Sequence, residues 1–312
     1  MQSPPEPITA PSSVLGSQET PVPDVDSPEL STRSRVLGAF TRLEVPLSRK
    51  LSFESCGTGV WLLRSTTDPN LYRFAADRCK DRLCPACQRS RAHTIRANLE
   101  PRITGRDIRF LTLTLRADDT NLAQRLKRLY ASFRLLRRRP LWKDRATGGL
   151  ACCEVTYNRD SGNWNVHLHL LVEGRYIALA DLKAEWLACT GDSSHVDIQR
   201  PRETCGVLKY VTKYVTKPTD IDNELSPLRL DEYVHAIGGH KLVFTFGSWR
   251  RWSLLAHPTL AGWTLLCHYN EIFYRADITA EQVQAIVAAR ELYFRTRDDY
   301  TFSLPTTQGP AP

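Results

Sequence analysis

The chain has 312 residues, a formal net charge of +8 and an isoelectric point near 9.1. This length is enough for one large or two small domains, and the basic charge favours an acidic partner, nucleic acid first. No apolar run reaches the length of a membrane span, the first residues lack the pattern of a signal peptide, and nine cysteines in so long a chain are not typical of a secreted disulfide scaffold. We therefore expect a cytoplasmic protein.

The composition predicts five segments in chain order. Residues 1–45 are rich in Pro, Ser, Thr and acidic residues and contain few large apolar residues, which is typical of a disordered tail. Residues 46–105 form a small cysteine-rich segment. The patterned strands and helices follow over residues 106–220. Residues 221–304 are expected to be an accessory region, and residues 305–312 a second short tail.

The central segment alternates strand and helix patterns. The turn-rich RDSG lies between two strand patterns and predicts a hairpin. The order strand, helix, strand, strand, helix predicts an α+β fold in which an antiparallel sheet carries helices on one side. Later, Thr279 and Gln282 form a capping box before a predicted helix near 279–294. The other predicted elements are strands at 108–115, 149–158, 163–172 and 195–199 and helices at 121–139, 178–191 and 203–218.

Four cysteines of the 46–105 segment have a metal-binding pattern. Cys84 and Cys87 form the turn CPAC, and Cys79 precedes them. A structural zinc site takes four nitrogen or sulfur ligands in a tetrahedron, so Cys56 is the natural fourth ligand, with His93 as its substitute. The alternative is a set of buried or redox cysteines. The other cysteines lie in apolar segments and are predicted core residues: Cys152, Cys153, Cys189, Cys205 and Cys267.

The segment NWNVHLHLLV contains two histidines on one strand face. Side chains alternate along a strand with period 2, so His167 and His169 point the same way. Glu154, on the preceding strand, faces them if the two strands form a hairpin. Two imidazoles and one carboxylate hold a divalent ion and leave open positions on it, as catalysis requires. The alternative is three polar residues on an exposed face of the sheet.

The segment KYVTKYVTK places two tyrosines one helical turn apart. Tyr210 and Tyr214 share a helix face, and Lys213 and Lys217 repeat at the same spacing beside them. A tyrosine hydroxyl becomes a useful nucleophile near a polarised phosphate and a cation that stabilises the phenolate. The alternative is two aromatic core residues with solvated lysines.

The predicted helix at 121–139 carries seven basic residues and no acidic residue. This composition suits a phosphate backbone, and a solvated basic face is the alternative. Trp249 and Trp252 flank Arg250 and Arg251, an arrangement that can stack on and clamp single-stranded bases. The predicted DNA-binding residues of the helix are Arg125, Lys127, Arg128, Arg134, Arg137, Arg138 and Arg139.

Together these motifs resemble the rolling-circle replication initiators of the HUH endonuclease superfamily. The resemblance runs from about Cys56 to Pro218. Four elements occur in the family's order: the cysteine cluster, the strand FLTLTL, EVTY followed by NVHLHLLV, and the tyrosine helix. The cysteine cluster is similar to that of Gram-positive-type plasmid initiators.

The resemblance implies a sheet like that of RNA-recognition motifs and a defined chemistry. The histidine pair and Glu154 would hold Mg²⁺ or Mn²⁺, and the cysteines a structural Zn²⁺. Tyr214 would attack the scissile phosphate of single-stranded DNA, form a 5′-phosphotyrosine link and free a 3′-OH that primes synthesis. Tyr210 follows the pattern of two-tyrosine relatives, and Lys213 and Lys217 match the lysines beside the nucleophile.

The implied partners are single-stranded and origin DNA together with host replication proteins such as a helicase and a polymerase, and no membrane. Two alternatives stay open. A two-tyrosine HUH transposase shares the chemistry, whereas a non-catalytic zinc-ribbon nucleic-acid-binding protein needs neither Tyr214 nor His167. A conjugative relaxase fits less well, because its tyrosine normally precedes the histidine motif.

Overall fold

A computed structural model of the protein describes residues 28–201, 206–208, 210, 213, 225–256, 262–296 and 301–304. The helices are α1 (Pro28–Arg42), α2 (Leu47–Glu54), α3 (Pro85–Ile103), α4 (Leu122–Leu136), α5 (Pro140–Arg145), α6 (Leu179–Thr190), α7 (Pro227–Ala236) and α8 (Ala280–Thr296). The strands are β1 (Val60–Ser65), β2 (Leu71–Ala76), β3 (Ile108–Thr114), β4 (Ala146–Asn158), β5 (Asn163–Gly174), β6 (Val196–Gln199), β7 (Val243–Gly247), β8 (Trp263–His268) and β9 (Thr301–Ser303). Short 3-10 helices span Ser248–Arg251 and Tyr269–Tyr274.

The larger sheet has five strands in the order β6-β3-β5-β4-β7, and every pairing in it is antiparallel. Its centre is the β4–β5 hairpin, which confirms the hairpin predicted around RDSG. The strands predicted at 108–115 and 195–199 correspond to β3 and β6. The α+β class with an antiparallel sheet is therefore confirmed, whereas a sheet of the RNA-recognition type stays a prediction.

One face of this sheet packs against helices α4, α6 and α7. Helix α4 begins at Asn121, whose side chain accepts a hydrogen bond from the Gln124 backbone N–H at 2.9 Å. Helix α6 ends at Gly191 with φ of 84°, as its sequence predicted. Apolar residues at helical spacing form the buried stripe of α4 and meet the sheet: Leu122, Leu126, Leu129, Phe133 and Leu136.

Helix α3 packs on the opposite face, so the prediction of helices on one side only is wrong. Its residues Ile95 and Leu99 are fully buried in a cluster with Leu150 and Leu171 of the sheet and with Trp249. The prediction assigned α3 to the cysteine-rich segment and missed that the apolar side of this helix covers the sheet. Both faces of the five-stranded sheet are therefore partly covered by helices.

The smaller sheet joins strands from distant parts of the chain. Its order is β8-β1-β2-β9, and Leu62, Phe74, Ile272 and Tyr293 are among the residues buried in its core. Strands β1 and β2 come from the predicted 46–105 segment, and β8 and β9 from the predicted accessory region. The linear boundaries at residues 105 and 221 therefore do not separate structural units. Helix α8 begins at the predicted Thr279–Gln282 capping box.

Helix α1 corrects the predicted end of the N-terminal tail. The tail was expected to extend to residue 45, but residues Pro28–Arg42 are helical. Val36, Ala39 and Phe40 are buried at i, i+3 and i+4 spacing, and the Phe40 ring contacts the Phe53 ring with centroids 5.2 Å apart. These three apolar side chains pack α1 on the core. No helix in the described part of the chain combines the length and the apolar character of a membrane span.

Candidate active site

The hairpin register brings the predicted histidines and carboxylate together. Glu154 on β4 lies directly opposite His167 on β5, and His169 is two residues further along the same face. The Glu154 Oε2 atom lies 2.8 Å from Nε2 of His169. Both side chains are mostly shielded from solvent, with 18% of the Glu154 side chain and 8% of the His169 side chain exposed. The prediction that Glu154 faces the histidine pair is confirmed geometrically.

Two threonines of β3 contact the other nitrogen of each imidazole. Thr112 pairs with His169 and Thr114 with His167 in the β3–β5 register. The Thr114 hydroxyl lies 2.9 Å from Nδ1 of His167, and the Thr112 hydroxyl lies 3.2 Å from Nδ1 of His169. Because each Nδ1 has a hydroxyl partner, the Nε2 atoms are the ring nitrogens left to face Glu154 or a metal ion.

The local charges favour an ionised carboxylate and a neutral imidazole. Burial raises the pKa of Glu154, but the hydrogen bond from His169 and the positive charges of His169, His167 and Lys213 outweigh it and hold that pKa below its ordinary value. Burial lowers the pKa of His167 despite the opposing charge of Glu154. A neutral imidazole keeps a lone pair available for a metal ion.

The donor types of this site fit a divalent ion, but their spacing is wider than one coordination shell. The ligand atoms of His167, His169 and Glu154 do not all lie within 4.8 Å of one another, and the two imidazole centroids are 6.1 Å apart. Glu154 and His169 are already as close as two neighbouring ligands of one ion, so the wide separation is that of His167. Ion binding by all three residues therefore requires that the His167 imidazole move closer to the other two side chains.

Tyr210 reaches the same site from the tyrosine helix, of which residues 206–208, 210 and 213 are described and helical. Its ring stacks on Phe110 of β3, with centroids 4.2 Å apart and an interplanar angle of 16°. Its hydroxyl lies 3.0 Å from Nδ1 of His169 and 3.4 Å from the Thr112 hydroxyl. The hydroxyl thus contacts the ring nitrogen of His169 that faces away from Glu154. Tyr214 and Lys217 lie outside the described residues.

The four predicted cysteines converge on one point. The Sγ atom of Cys56 lies 3.5 Å from that of Cys87 and 3.6 Å from that of Cys84, and the Sγ atoms of Cys79 and Cys87 are 3.5 Å apart. Four thiolates around a zinc ion at a bond length of about 2.3 Å would be about 3.8 Å apart, so these spacings suit a tetrahedral ion. His93 is exposed and is not needed as a ligand.

Backbone groups around the cluster favour thiolates. The Cys79 N–H points at Cys56 Sγ at 3.4 Å, and the Asp81 N–H points at Cys79 Sγ at 3.5 Å. Hydrogen bonds from the other three thiols lower the pKa of Cys56, whereas the contacts among the thiols raise the pKa of Cys79 and Cys87. Among the described residues, these cysteines are the one group of three or more His, Cys, Asp or Glu whose ligand atoms all lie within 4.8 Å. The predicted cluster of four cysteines is therefore present, with a geometry that could hold a metal ion.

Most of the remaining cysteines lie in the core, as predicted. Cys152, Cys153 and Cys267 are buried, and Cys189 is half-buried. Burial raises the pKa of both Cys152 and Cys153 to about 12, so these thiols stay protonated at neutral pH. Cys205 lies outside the described residues.

The basic residues of the helix predicted at 121–139 do not form one surface, and the helix itself, α4, ends at Leu136. Arg125 is 1% exposed and its guanidinium pairs with Asp118, so its predicted contact with DNA is wrong. Arg128 pairs with Asp118 and Asp192, and Arg139 pairs with Glu185. These acids come from other parts of the fold, which a helix without acidic residues could not reveal. The other four predicted residues have no acidic partner among the described residues: Lys127, Arg134, Arg137 and Arg138.

The tryptophan pair also differs from its prediction. Trp249 is fully buried and donates a hydrogen bond from Nε1 to Glu173 at 2.6 Å, so it cannot clamp a base. Trp252 is half-buried and stacks on Trp249 with centroids 4.2 Å apart. One of the two aromatic residues in this pattern, Trp249, therefore belongs to the core.

Thr112, Thr114 and Phe110 are site residues that were not singled out from the sequence. All three lie on one face of FLTLTL at period 2, and the strand pairs with the histidine strand. The alternation of threonine and leucine was the available signal, because polar residues on one face of an otherwise buried strand point to a polar site. The pairing of β3 with β5 was needed to connect them to the histidines.

Comparison with known proteins gives a match to one family model and two related proteins. Residues 71–181 match a family model described as Replication protein. A Protein rep from Staphylococcus aureus is 25% identical over 211 residues, which cover 62% of this chain and 92% of that protein. A Protein rep from Streptococcus pneumoniae serotype 2 is 29% identical over 196 residues, which cover 55% of this chain and 61% of that protein. No solved structure matches the chain significantly.

Proposed function

The family match and both relatives support a plasmid rolling-circle replication initiator, and we propose that this chain starts replication by nicking and rejoining single-stranded DNA. The observation that carries the proposal is the convergence of Glu154, His167, His169 and Tyr210 on one face of the sheet. The matching family model is described as Replication protein, which favours replication over transposition. The polar convergence favours an enzyme over a binding module without catalysis.

His167, His169 and Glu154 are the residues that would hold Mg²⁺ or Mn²⁺. A divalent ion bound there supplies Lewis-acid polarisation of the scissile phosphate. Thr112 and Thr114 orient the two imidazoles through Nδ1. The Cys56, Cys79, Cys84 and Cys87 cluster would hold a structural Zn²⁺, since four thiolates at tetrahedral spacing are the ligand set that zinc takes in closed sites.

A tyrosine of the segment 203–218, which the sequence predicts to be helical, acts as the nucleophile. Its phenolate oxygen attacks the phosphorus, the bond to the 3′-oxygen breaks, and the leaving oxygen takes a proton to give the 3′-OH. The products are a 5′-phosphotyrosine link and a primer end. Lys213 is exposed beside the site and favours negative charge there, as its effect on the pKa of Glu154 indicates.

Tyr214 is the proposed first nucleophile and Tyr210 the second. The Tyr210 hydroxyl is bound to Nδ1 of His169, on the side of the ring that faces away from Glu154, so in this arrangement it is not directed toward the carboxylate. In the sequence, Tyr214 follows four residues later and precedes Lys217 by three. This division lets one tyrosine cut at initiation and the other accept the strand at closure.

The test is a cleavage assay on single-stranded oligonucleotides that tile the DNA flanking the gene. We expect cleavage that depends on Mg²⁺ or Mn²⁺ and that leaves protein attached to the 5′ end of one product. Metal-dependent cleavage without any attached protein would indicate a nuclease that uses water, and binding without cleavage across the tiled region would favour the non-catalytic alternative.

A further inference from the structure

A large cleft runs along strand β7, away from the histidine pair. Its volume is about 1270 Å³. Strand β7 is an edge strand of the five-stranded sheet, so its outer side has no neighbouring strand in that sheet. Residues of α3 and α4 line the cleft together with the chain on either side of β7, and the cleft therefore extends around the sheet edge from one face toward the other.

The cleft is basic and its charges are not neutralised by the protein. Lys127 and Arg134 of α4 and Arg137 directly after it line the cleft, with Arg91 of α3 and Arg250 beyond β7, and none of the described lining residues is Asp or Glu. None of these five cations forms an ion pair within the described ranges. Three other arginines of the segment 121–139 do not line the cleft, and each of those is paired with an acid: Arg125, Arg128 and Arg139.

Arg137 is the cleft cation that burial and its neighbours disfavour most clearly. Burial lowers the pKa of Arg137, and the charges of Arg250 and Arg134 lower it further. The Nε atom of Arg137 is buried and has no hydrogen-bond partner in the part of the chain that the structure describes. A bound anion would supply the missing negative charge.

Aromatic rings lie among the cations. Tyr130 and Trp252 are half-buried and line the cleft, and the Tyr130 ring stacks on His240 with centroids 5.1 Å apart. Single-stranded nucleic acid is bound by this combination of a basic groove for the backbone and aromatic rings for the bases. Pockets for small ligands have volumes of about 300–1,000 Å³, so this cleft suits a chain of a few nucleotides better than one small molecule.

The position of the cleft relates it to the nicking site. Leu150 lines the cleft and lies four residues before Glu154 on the same face of β4. Four residues of a strand span about 13 Å. We propose that the β7 cleft binds single-stranded DNA adjacent to the phosphate that is cut, as a second DNA site outside the nicking residues; this deepens, and rests on, the function proposed above.

The test is binding of a fluorescent 20-nucleotide oligothymidylate to the full chain in EDTA, which prevents cleavage. The variant Lys127→Gln with Arg134→Gln removes two exposed cleft cations on one helix. Its control, Lys143→Gln with Lys183→Gln, removes two exposed cations that do not line the cleft. We expect the cleft variant to bind about tenfold more weakly and its salt slope to fall by about 1.4, because each phosphate contact on a single strand contributes about 0.7. The control should change binding less than about twofold.

Equal affinity of the cleft and control variants would overturn the proposal. A larger loss for a duplex of the same length than for the single strand would overturn the assignment to single-stranded DNA. Photo-crosslinking of a bromodeoxyuridine oligonucleotide should label peptides that contain Tyr130 or Trp252, and labelling confined to Phe110 and Tyr210 would contradict it. None of these measurements needs cleavage. If the cleft binds DNA but the protein never nicks it, the proposed nicking function is wrong and the proposal for the cleft stands.

Discussion

The hydroxyl of Thr114 lies 2.9 Å from Nδ1 of His167, across the pairing of β3 with β5. Thr112 has the same relationship to His169 at 3.2 Å. In each of these two pairs, β5 contributes the histidine and β3 contributes the threonine hydroxyl that orients it. Such outer partners fix the ring and raise the basicity of the coordinating nitrogen.

Thr114→Val should weaken metal binding while preserving the strand, because valine has the same shape and lacks the hydroxyl. We expect about a 10–100-fold higher metal concentration for half-maximal nicking, with the rate at saturating Mn²⁺ close to wild type. Thr114→Ser should restore the wild-type metal dependence. An unchanged metal dependence in the valine variant would show that this hydrogen bond does not orient His167 for coordination.

The double variant His167→Ala with His169→Ala should abolish nicking and leave DNA binding largely intact, because Arg and Lys contacts to phosphate supply most of the affinity. Glu154→Ala should reduce nicking by a similar or smaller factor. Cleavage rate and oligonucleotide affinity are measured on the same preparations. Cleavage by the double histidine variant in the presence of Mg²⁺ or Mn²⁺ would exclude these residues as the metal ligands.

Cys84→Ser should remove the metal of the cysteine cluster. Cys84 directly precedes α3, and its Sγ atom lies 3.6 Å from Sγ of Cys56. Replacing Cys84 therefore removes one of the four ligands of a closed site. We expect about one zinc per chain in the wild type and none in the variant, with a lower thermal unfolding temperature, because metal binding stabilises the folded state. Cys189→Ser, at a half-buried cysteine outside the cluster, is the control. Well-folded wild-type protein without zinc would refute the assignment.

Asp118→Ala should destabilise the fold. Arg125 is buried at 1% exposure and pairs with Asp118, so the variant leaves a buried guanidinium without its carboxylate. Loss of one partner of a buried pair typically costs about 3–5 kcal/mol, which urea unfolding measures directly. Asp160→Ala, at an exposed turn, should change the free energy of unfolding little. A loss below about 1 kcal/mol for Asp118→Ala would mean that Arg125 finds another partner or solvent.

Much of the candidate site could be predicted from the sequence because the residues that meet there are joined by short turns. The RDSG turn fixes the hairpin register, and period 2 then places His169 on the same face as His167, with Glu154 across the hairpin. The CPAC turn likewise fixes Cys84 and Cys87 at the start of α3. In both cases a short turn determines which side chains meet.

The features that the sequence did not reveal depend on contacts between distant segments. Strand β1 pairs with β8, about 200 residues later, and no local pattern records that pairing. Arg125 was predicted to contact DNA because Asp118, its partner, lies outside the helix. Trp249 was predicted to stack on bases, whereas the fold buries it against Glu173. Thr112, Thr114 and Phe110 of β3 could be recognised as site residues only once β3 was seen to pair with β5.

The most direct test of the account is mass spectrometry of the peptide that remains attached to cleaved DNA, after incubation of single-stranded origin oligonucleotides with metal. We expect the adduct on Tyr214. Tyr214→Phe should abolish it, and Tyr210→Phe should retain the first cut but impair rejoining, since the Phe110 stack does not need the Tyr210 hydroxyl. An adduct only on Tyr210 would reverse the two roles. Cleavage that depends on metal but leaves no adduct on either tyrosine would contradict the proposed strand transfer.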